Sequence, residues 1–168
     1  MNNTIKLRNM TSIYIIHNDK ILMLYRQGSK VANNMWIGAA GGHFEDYEIN
    51  DPKACLLREL NEELSLTEDM LTNLKLRYIT LRNSNGEIRQ NYYYFANLTD
   101  MNQKISSNEG ILQWIDLDKI SALNMPFTAK FMLEHYLLIG KSDDKLYGGI
   151  ANGKEVNFTE LKPFVNAP

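Results

Sequence analysis

The stretch that decides the fold reads Gly41-Gly42-His43-Phe44-Glu45-Asp46-Tyr47-Glu48, followed after nine residues by Arg58-Glu59-Leu60-Asn61-Glu62-Glu63-Leu64. Asp51 and Pro52 predict a helix that runs from about residue 52 to 64, because aspartate is a favoured N-cap and proline is favoured at the first helical position. At about 100° per residue, the three glutamates of this helix share one face, and leucines line the opposite face. One face is therefore expected in the core and the other is covered with carboxylates.

The carboxylate face predicts a site for a divalent cation. Like charges three and four positions apart repel each other, so the face costs stability unless solvent or cations neutralise it. Magnesium prefers oxygen ligands and bridges to substrate phosphates, which points to phosphate chemistry. A solvated acidic surface helix is the alternative reading of Glu-x-x-Glu-Glu alone. The Gly-Gly turn, Glu48 and Arg58 at fixed spacings favour the cation site.

Together these residues resemble the Nudix box. Its pattern is a glycine, five residues, a glutamate, seven residues, and then Arg-Glu-aliphatic-x-Glu-Glu-x-Gly-aliphatic. The chain departs from this pattern twice. Nine residues separate Glu48 from Arg58, with the extra residues expected around Ile49 and Asn50, and Ser65 stands in place of the final glycine. If Ser65 keeps the left-handed conformation, the cost is roughly 1 kcal/mol. Neither departure removes a predicted ligand.

The resemblance implies a role for each residue of the segment. Glu59, Glu62 and Glu63 would bind Mg²⁺, with Mn²⁺ as a possible substitute, together with a backbone carbonyl of Gly41 or Gly42. Arg58 would orient Glu59, and Glu48 would support the loop. Glu109 matches the place where some relatives carry a further metal-binding or base carboxylate. The predicted catalytic and metal-binding residues are thus Gly41, Gly42, Arg58, Glu59, Glu62, Glu63 and Glu109.

The resemblance covers most of the chain and is to the MutT-type branch, which includes 8-oxo-dGTP diphosphatases. It implies an α/β fold, an α/β/α sandwich with a mixed sheet, in a single domain over residues 1–168. The pattern of β-branched and aromatic residues and turn signals agrees with this. Strands are predicted at 11–17, 20–26, 74–82, 87–98, 111–115, 146–150 and 155–159, a second helix at 126–139 and a short helix within 116–123.

Composition narrows the partners and the compartment. The chain has 168 residues, 44% of them hydrophobic, and a net charge of −2, which disfavours a polymeric nucleic-acid partner. The one cysteine, Cys55, cannot form an intramolecular disulfide, and residues 1–10 are too polar for a secretion signal. No apolar stretch approaches the roughly 20 residues that cross a bilayer. A cytoplasmic protein without a membrane anchor is expected, and its oligomeric state stays open.

The predicted reaction is Mg²⁺-dependent hydrolysis of a phosphoanhydride in a nucleoside diphosphate derivative. A nucleoside triphosphate such as 8-oxo-dGTP, cleaved to the monophosphate and pyrophosphate, is the first candidate substrate. ADP-ribose, dinucleoside polyphosphates and nucleotide sugars are alternatives, and a nucleotide sensor without turnover is an alternative of another class. Candidate substrate contacts are Arg26, Asn33, Asn34, Trp36 and His43. The Tyr92-Tyr93-Tyr94 run could stack on a base, although strand alternation places some of these rings in the core.

Overall fold

The computed structural model describes residues 5–28 and 33–164, which form a mixed sheet of eight strands covered by helices. The strands are β1 (Lys6–His17), β2 (Lys20–Arg26), β3 (Met35–Gly38), β4 (Leu71–Ser84), β5 (Glu87–Leu98), β6 (Ile111–Asp116), β7 (Tyr147–Ala151) and β8 (Val156–Glu160). The α-helices are α1 (Pro52–Leu64) and α2 (Phe127–Leu138). Short 3-10 helices lie at Asp46–Glu48, Glu68–Met70, Leu117–Ala122 and Gly140–Ser142.

The strand order in the sheet is β3-β2-β1-β5-β4-β7-β8, and β6 pairs with β2. The pairs β1–β5 and β4–β7 are parallel, while the other pairs are antiparallel. Beyond the end of β3 the chain continues alongside β1, where isolated bridges join Ala40 to Ile13 and His43 to Met10. The glycine segment is therefore held as an extension of the sheet.

Alternating side chains of the strands pack in two hydrophobic cores, one on each face of the sheet. In β1, Ile13 and Ile15 pack with Leu56, Leu60 and Leu64 of α1. Tyr14, between them, packs in a second core with Met132 and Leu133 of α2. Because side chains alternate across a strand, one sheet can bury both of its faces in this way. The predicted α/β/α sandwich with a mixed sheet is confirmed.

The predicted elements agree with the structure except at their ends. Helix α1 and strands β2 and β5 have the predicted bounds, whereas β1 and β4 extend beyond theirs. Strand β3 was not predicted. On α2 the buried residues are Thr128, Ala129, Met132 and Leu133, whereas Phe127 and Phe131 are half-buried and contact each other in a tilted arrangement with ring centroids 5.0 Å apart. Among the described residues, no helix combines the length and apolar character needed to cross a membrane.

Candidate active site

Local backbone chemistry fixes the start of the glycine segment and both ends of α1. The side chain of Asp51 accepts a hydrogen bond from the amide of Ala54 at 3.0 Å, as an N-cap does. Ser65 ends the helix with φ 53°, in the left-handed conformation, and its N–H donates to the Asn61 carbonyl. Gly41 has φ 147°, and a Cβ there would lie 2.2 Å from the Thr11 carbonyl oxygen, so this position requires glycine.

Arg58 ties the loop before α1 to the carboxylates on the helix. Its Nε and Nη2 donate to the two oxygens of Glu48 at 2.7 and 2.9 Å, a bidentate pair. Its Nη1 donates to Glu59 Oε1 at 2.7 Å and to Glu62 Oε2 at 3.3 Å, and Nη2 also reaches the His43 carbonyl at 3.0 Å. These are the contacts that the predicted orienting role of Arg58 requires.

Glu48 is almost fully buried, with 1% of its surface exposed. The hydrogen bonds from Arg58 lower the pKa of its carboxyl to about 2, against the opposing effect of burial, and the Glu45 amide adds a hydrogen bond at 2.9 Å. Glu48 is therefore charged at neutral pH and anchors the loop to the helix, as its predicted supporting role needs.

The glycines hold the carboxylates of α1 close to the backbone. Glu63 Oε2 accepts a hydrogen bond from the Gly41 amide at 3.0 Å. The Glu59 carboxylate lies against Gly42, where an added Cβ would stand 2.3 Å from Glu59 Oε1. A Cβ at Gly42 would displace this carboxylate from its position. The Gly-Gly turn therefore shapes the carboxylate cluster as well as the chain direction.

Negative charge accumulates around Glu63. Burial raises the pKa of the Glu63 carboxyl to about 7; the Gly41 amide opposes this, and the charges of Glu59 and Glu109 add to it. Glu109 is brought to this region from the segment before β6, and its Oε2 accepts from Arg26 Nη2 at 2.7 Å. The glutamate predicted from resemblance and the glutamates of the box thus share one electrostatic site.

The chemistry of this donor set fits a divalent cation. Hard carboxylate oxygens are the ligands that Mg²⁺ prefers. Burial and, to a smaller extent, repulsion from Glu59 and Glu109 raise the pKa of Glu63, and a bound cation would offset both effects. Within residues 5–28 and 33–164, no three acidic, histidine or cysteine side chains already converge on one point. Glu62, with 59% of its side chain exposed, is turned toward solvent and Arg58. Binding would therefore require side-chain rotation.

A cavity of about 360 Å³ adjoins the carboxylates, between the sheet and α2. Met10 and Ser12 of β1 contribute to its lining, and Phe127 and Thr128 of α2 contribute from the opposite side. Gly41 lines the cavity and its amide donates to Glu63, so the cavity reaches the backbone that contacts the carboxylate cluster. Its size lies within the range of small-molecule sites.

Of the five predicted substrate residues, one lines the cavity and four lie outside it. Arg26 lines the cavity. Asn33 and Asn34 lie in the turn before β3, where the Asn33 side chain accepts from the Gly28 amide at 2.8 Å and the Asn34 amide donates to the Arg26 carbonyl. Trp36 packs against Tyr25 with centroids 5.0 Å apart, and His43 is exposed beside β1. The structure does not bring these four residues into the cavity.

Several residues that line the cavity were absent from the sequence prediction. They are Arg82 on β4, Arg89 and Asn91 on β5, and Thr128 on α2. Tyr93, from the run predicted to stack on a base or to lie in the core, also lines the cavity. The sequence did contain a signal for the residues on β5. Polar side chains alternate along this strand and therefore lie on one of its faces, at Arg89, Asn91 and Tyr93. Tyr93 and Tyr94 are both buried because their alternating faces are both covered, so the expectation that part of this run is core is confirmed.

Solved structures share this architecture. The Mutator MutT protein from Bacillus halodurans is 21% identical with a TM-score of 0.63, covering 91% of this chain and 97% of its own. The E. coli ORF135 protein is 18% identical with a TM-score of 0.62, over 82% and 94%. A C. elegans Ap4A hydrolase is 15% identical with a TM-score of 0.62, over 82% and 99%. At these identities the likeness is one of fold.

The family is established by sequence. No curated protein sequence matches the chain significantly. The family model for the NUDIX domain, in contrast, matches residues 6–136, a span that includes the glycine turn, α1 and the cavity-lining strands β1, β4 and β5. The chain therefore belongs to the NUDIX family and is a pyrophosphohydrolase that acts on nucleoside diphosphate derivatives.

Proposed function

We propose that this enzyme hydrolyses a nucleoside triphosphate to the monophosphate and pyrophosphate, with 8-oxo-dGTP as the first candidate substrate. The observation that carries the proposal is the position of Gly41. Its amide donates to Glu63 at 3.0 Å, and the same residue lines the 360 Å³ cavity. A nucleoside in the cavity would therefore extend its phosphates directly toward the carboxylates of α1.

Mg²⁺ is the cofactor that we propose, held by Glu59, Glu62 and Glu63 with Glu109 nearby. When bound, it would neutralise charge on the phosphate oxygens and make a bound water more acidic. The Gly42 carbonyl already accepts from the Thr11 amide at 2.9 Å. Among the described backbone contacts beyond helices and strands, the Gly41 carbonyl accepts none, which makes it the better backbone ligand of the two glycines.

Side chains of the protein position the carboxylates, accept the proton from water and contact the substrate phosphates. Arg58 holds Glu59 in place through the bond of 2.7 Å, and Glu48 holds Arg58. We propose that one of the α1 glutamates takes a proton from water, either directly or through Glu109. Arg26, paired with Glu109, lies where it can contact a phosphate that enters from the cavity.

The test is product formation from 8-oxo-dGTP, dGTP and ADP-ribose in the presence of Mg²⁺, for the wild type, Glu62→Gln and Glu63→Gln. Loss of one carboxylate ligand or base is expected to lower kcat by about 100-fold or more. Glu68→Gln is the matched control, because Glu68 is exposed and pairs with Lys53 in the first turn of α1, at the end opposite Glu62 and Glu63. Unchanged turnover in both site variants would reject the residue assignment, and turnover of ADP-ribose alone would reject the triphosphate.

A further inference from the structure

Three arginines form a row across the sheet at one end of the cavity. The register pairs Arg82 of β4 with Arg89 of β5, and Arg89 with Arg8 of β1. Directly paired residues project from the same face of a sheet, about 5 Å apart. Arg82 and Arg89 both line the cavity, so this arginine row faces the space between the sheet and α2.

The positive charge of the arginine row is only partly compensated. Glu87 accepts from Arg89 Nε at 2.8 Å and lies 3.6 Å from Arg8 Nη1. Arg82 forms no ion pair with any residue in the described part of the chain. Like charges directly opposite each other destabilise a sheet, so the row is an unfavourable arrangement for the protein alone. The chain as a whole carries a net charge of −2, which sets this patch apart from its surroundings.

The arginine row lies beside the same cavity as Gly41 but at a distance from the carboxylate cluster. Gly41 runs beside Ser12 of β1, while Arg89 pairs with Arg8. Two strand spacings across the sheet and three to four residues along it separate the backbones of Gly41 and Arg89 by roughly 15 Å. An arginine side chain, a nucleoside and a glutamate side chain together span such a distance.

We propose that the arginine row binds a second phosphate of the substrate, one carried by its nucleoside in addition to the anhydride that is cleaved. This inference rests on the site and the phosphoanhydride hydrolysis of the proposed function. It favours nucleotide derivatives that carry a further phosphate on the sugar over 8-oxo-dGTP, which carries none. A phosphate dianion neutralises two guanidinium groups and accepts bidentate hydrogen bonds from each. A neutral base edge can accept hydrogen bonds but leaves the repulsion between Arg82 and Arg89 in place.

The experiment is calorimetric binding in EDTA at low salt, with probes that have no anhydride. Adenosine 5′-monophosphate is compared with adenosine 3′,5′-bisphosphate and 2′,5′-bisphosphate, and the guanosine series is run in parallel. At least one bisphosphate is expected to bind wild-type protein about tenfold or more tightly than the monophosphate. In Arg82→Gln/Arg89→Gln this preference is expected to fall to within about twofold. Thermal unfolding of this variant checks that it is folded, which removal of paired like charges favours.

The control is Lys75→Gln/Lys119→Gln, which removes the same charge from residues paired with Asp144 and Asp116, outside the cavity lining. It is expected to keep the preference for the bisphosphate. Equal affinity for mono- and bisphosphates, or a preference that survives in Arg82→Gln/Arg89→Gln, overturns the inference. So does an arginine-dependent preference for guanosine over adenosine without regard to phosphate. Because no turnover is measured, an enzyme inactive on triphosphates would refute the proposed function and leave this result intact.

Discussion

Arg58 is the residue on which the geometry of the carboxylate cluster depends. It contacts Glu48, Glu59 and Glu62 and the backbone of His43. A lysine could not replace it, because one ammonium group cannot match the bidentate pairing with Glu48 and also reach Glu59. The planar guanidinium therefore sets the positions of a loop residue and a helix residue at once.

The ion pair between Glu48 and Arg58 predicts that the protein loses stability in acid. The folded-state pKa of Glu48 is about 2, below its ordinary value of 4.5. Its contribution to stability is therefore complete above pH 4.5 and is lost as pH falls from there through 2. The free energy of unfolding of the metal-free protein is expected to fall over this window by up to about 3 kcal/mol through this residue. Denaturant titrations at a series of pH values measure it.

Glu48→Gln is the comparison for this prediction. It should be less stable than wild type at pH 7 and should lose less stability between pH 4.5 and 2. Glu63 acts in a separate window, because its folded-state pKa is raised to about 7. Its burial destabilises the charged form, so stability gains as pH falls from 7 to 4.5. Identical curves for wild type and Glu48→Gln in the acid window would contradict the anchor role.

The two glycines predict opposite outcomes for alanine. In Gly42→Ala the new Cβ meets the Glu59 carboxylate, 2.3 Å away, which can rotate aside because it ends a flexible side chain. Activity should fall about 10- to 100-fold while stability is kept, because a predicted metal ligand is displaced. In Gly41→Ala the Cβ meets the Thr11 backbone at 2.2 Å with φ 147°, so the protein itself should be destabilised, by about 2 kcal/mol or more. Thermal unfolding and steady-state kinetics on both variants separate the two effects.

Ser65 predicts a stabilising substitution. Its φ of 53° is in the left-handed region, where a side chain is unfavourable. Ser65→Gly should raise the free energy of unfolding by up to about 1 kcal/mol and leave activity unchanged. Ser121→Gly, at an exposed position without a positive φ, is the control and should be neutral or destabilising. A loss of stability in Ser65→Gly, measured by urea unfolding, would contradict this.

At the scale of the elements, local signals in the sequence predicted most of the fold. Asp51 and Pro52 mark the start of α1, and Asn-Gly turns mark the hairpins, because these residues determine backbone conformation by themselves. Strand β3 was missed because its four residues, Met35–Gly38, are strand only through pairing with β2. The N-terminal part of β1 was missed for a similar reason, since its polar residues pair in parallel with β5.

The same distinction applies to the candidate site. The carboxylates are near in sequence and share a helix face, so periodicity predicted that they lie together. The cavity takes residues from strands and from α2, and only the pairing of Arg82 with Arg89 and Arg89 with Arg8 brings the arginine row together. No local pattern carries that information. Tertiary register decides which distant residues face one ligand.

Arg77 joins β4 to the segment of the chain that follows α2. It is 6% exposed and donates to the carbonyls of Gly140 and Lys145 at 2.8 and 2.9 Å and to Asp143 at 3.1 Å. Arg77→Met leaves these acceptors unpaired and should cost about 3 kcal/mol of unfolding free energy. Lys75→Met, at a half-exposed ion pair on the same strand, should cost less than about 1 kcal/mol. Similar losses in both variants, measured by urea unfolding, would contradict the buried role of Arg77.

At the scale of the whole molecule, the sheet extends beyond the part that the family model matches. That match ends at residue 136, and β7 and β8 follow it. β7 pairs in parallel with β4 from Tyr78 to Leu81, and Tyr147 stacks on Tyr78 with centroids 5.4 Å apart. The C-terminal hairpin therefore covers an edge of the central sheet and completes the core beside α2.

Removal of residues 141–168 is predicted to expose that edge. Uncovered strand edges pair with other chains, so the shortened protein should unfold at a lower temperature and self-associate. Light scattering after size-exclusion chromatography and thermal unfolding measure these two effects. A shortened protein that stays monodisperse with an unchanged Tm would show that the hairpin is dispensable to the sheet.

The ion pair between Glu48 and Arg58 has a consequence for the loop that it closes. An ion pair fixes a distance in space and is indifferent to the number of residues between its members. Ile49 and Asn50 lie exposed between these fixed ends, where the chain exceeds the usual spacing by two residues. A different number of residues between these ends is therefore compatible with the same positions of the α1 glutamates. The same position suits the insertion of a fluorescent reporter peptide beside a working site.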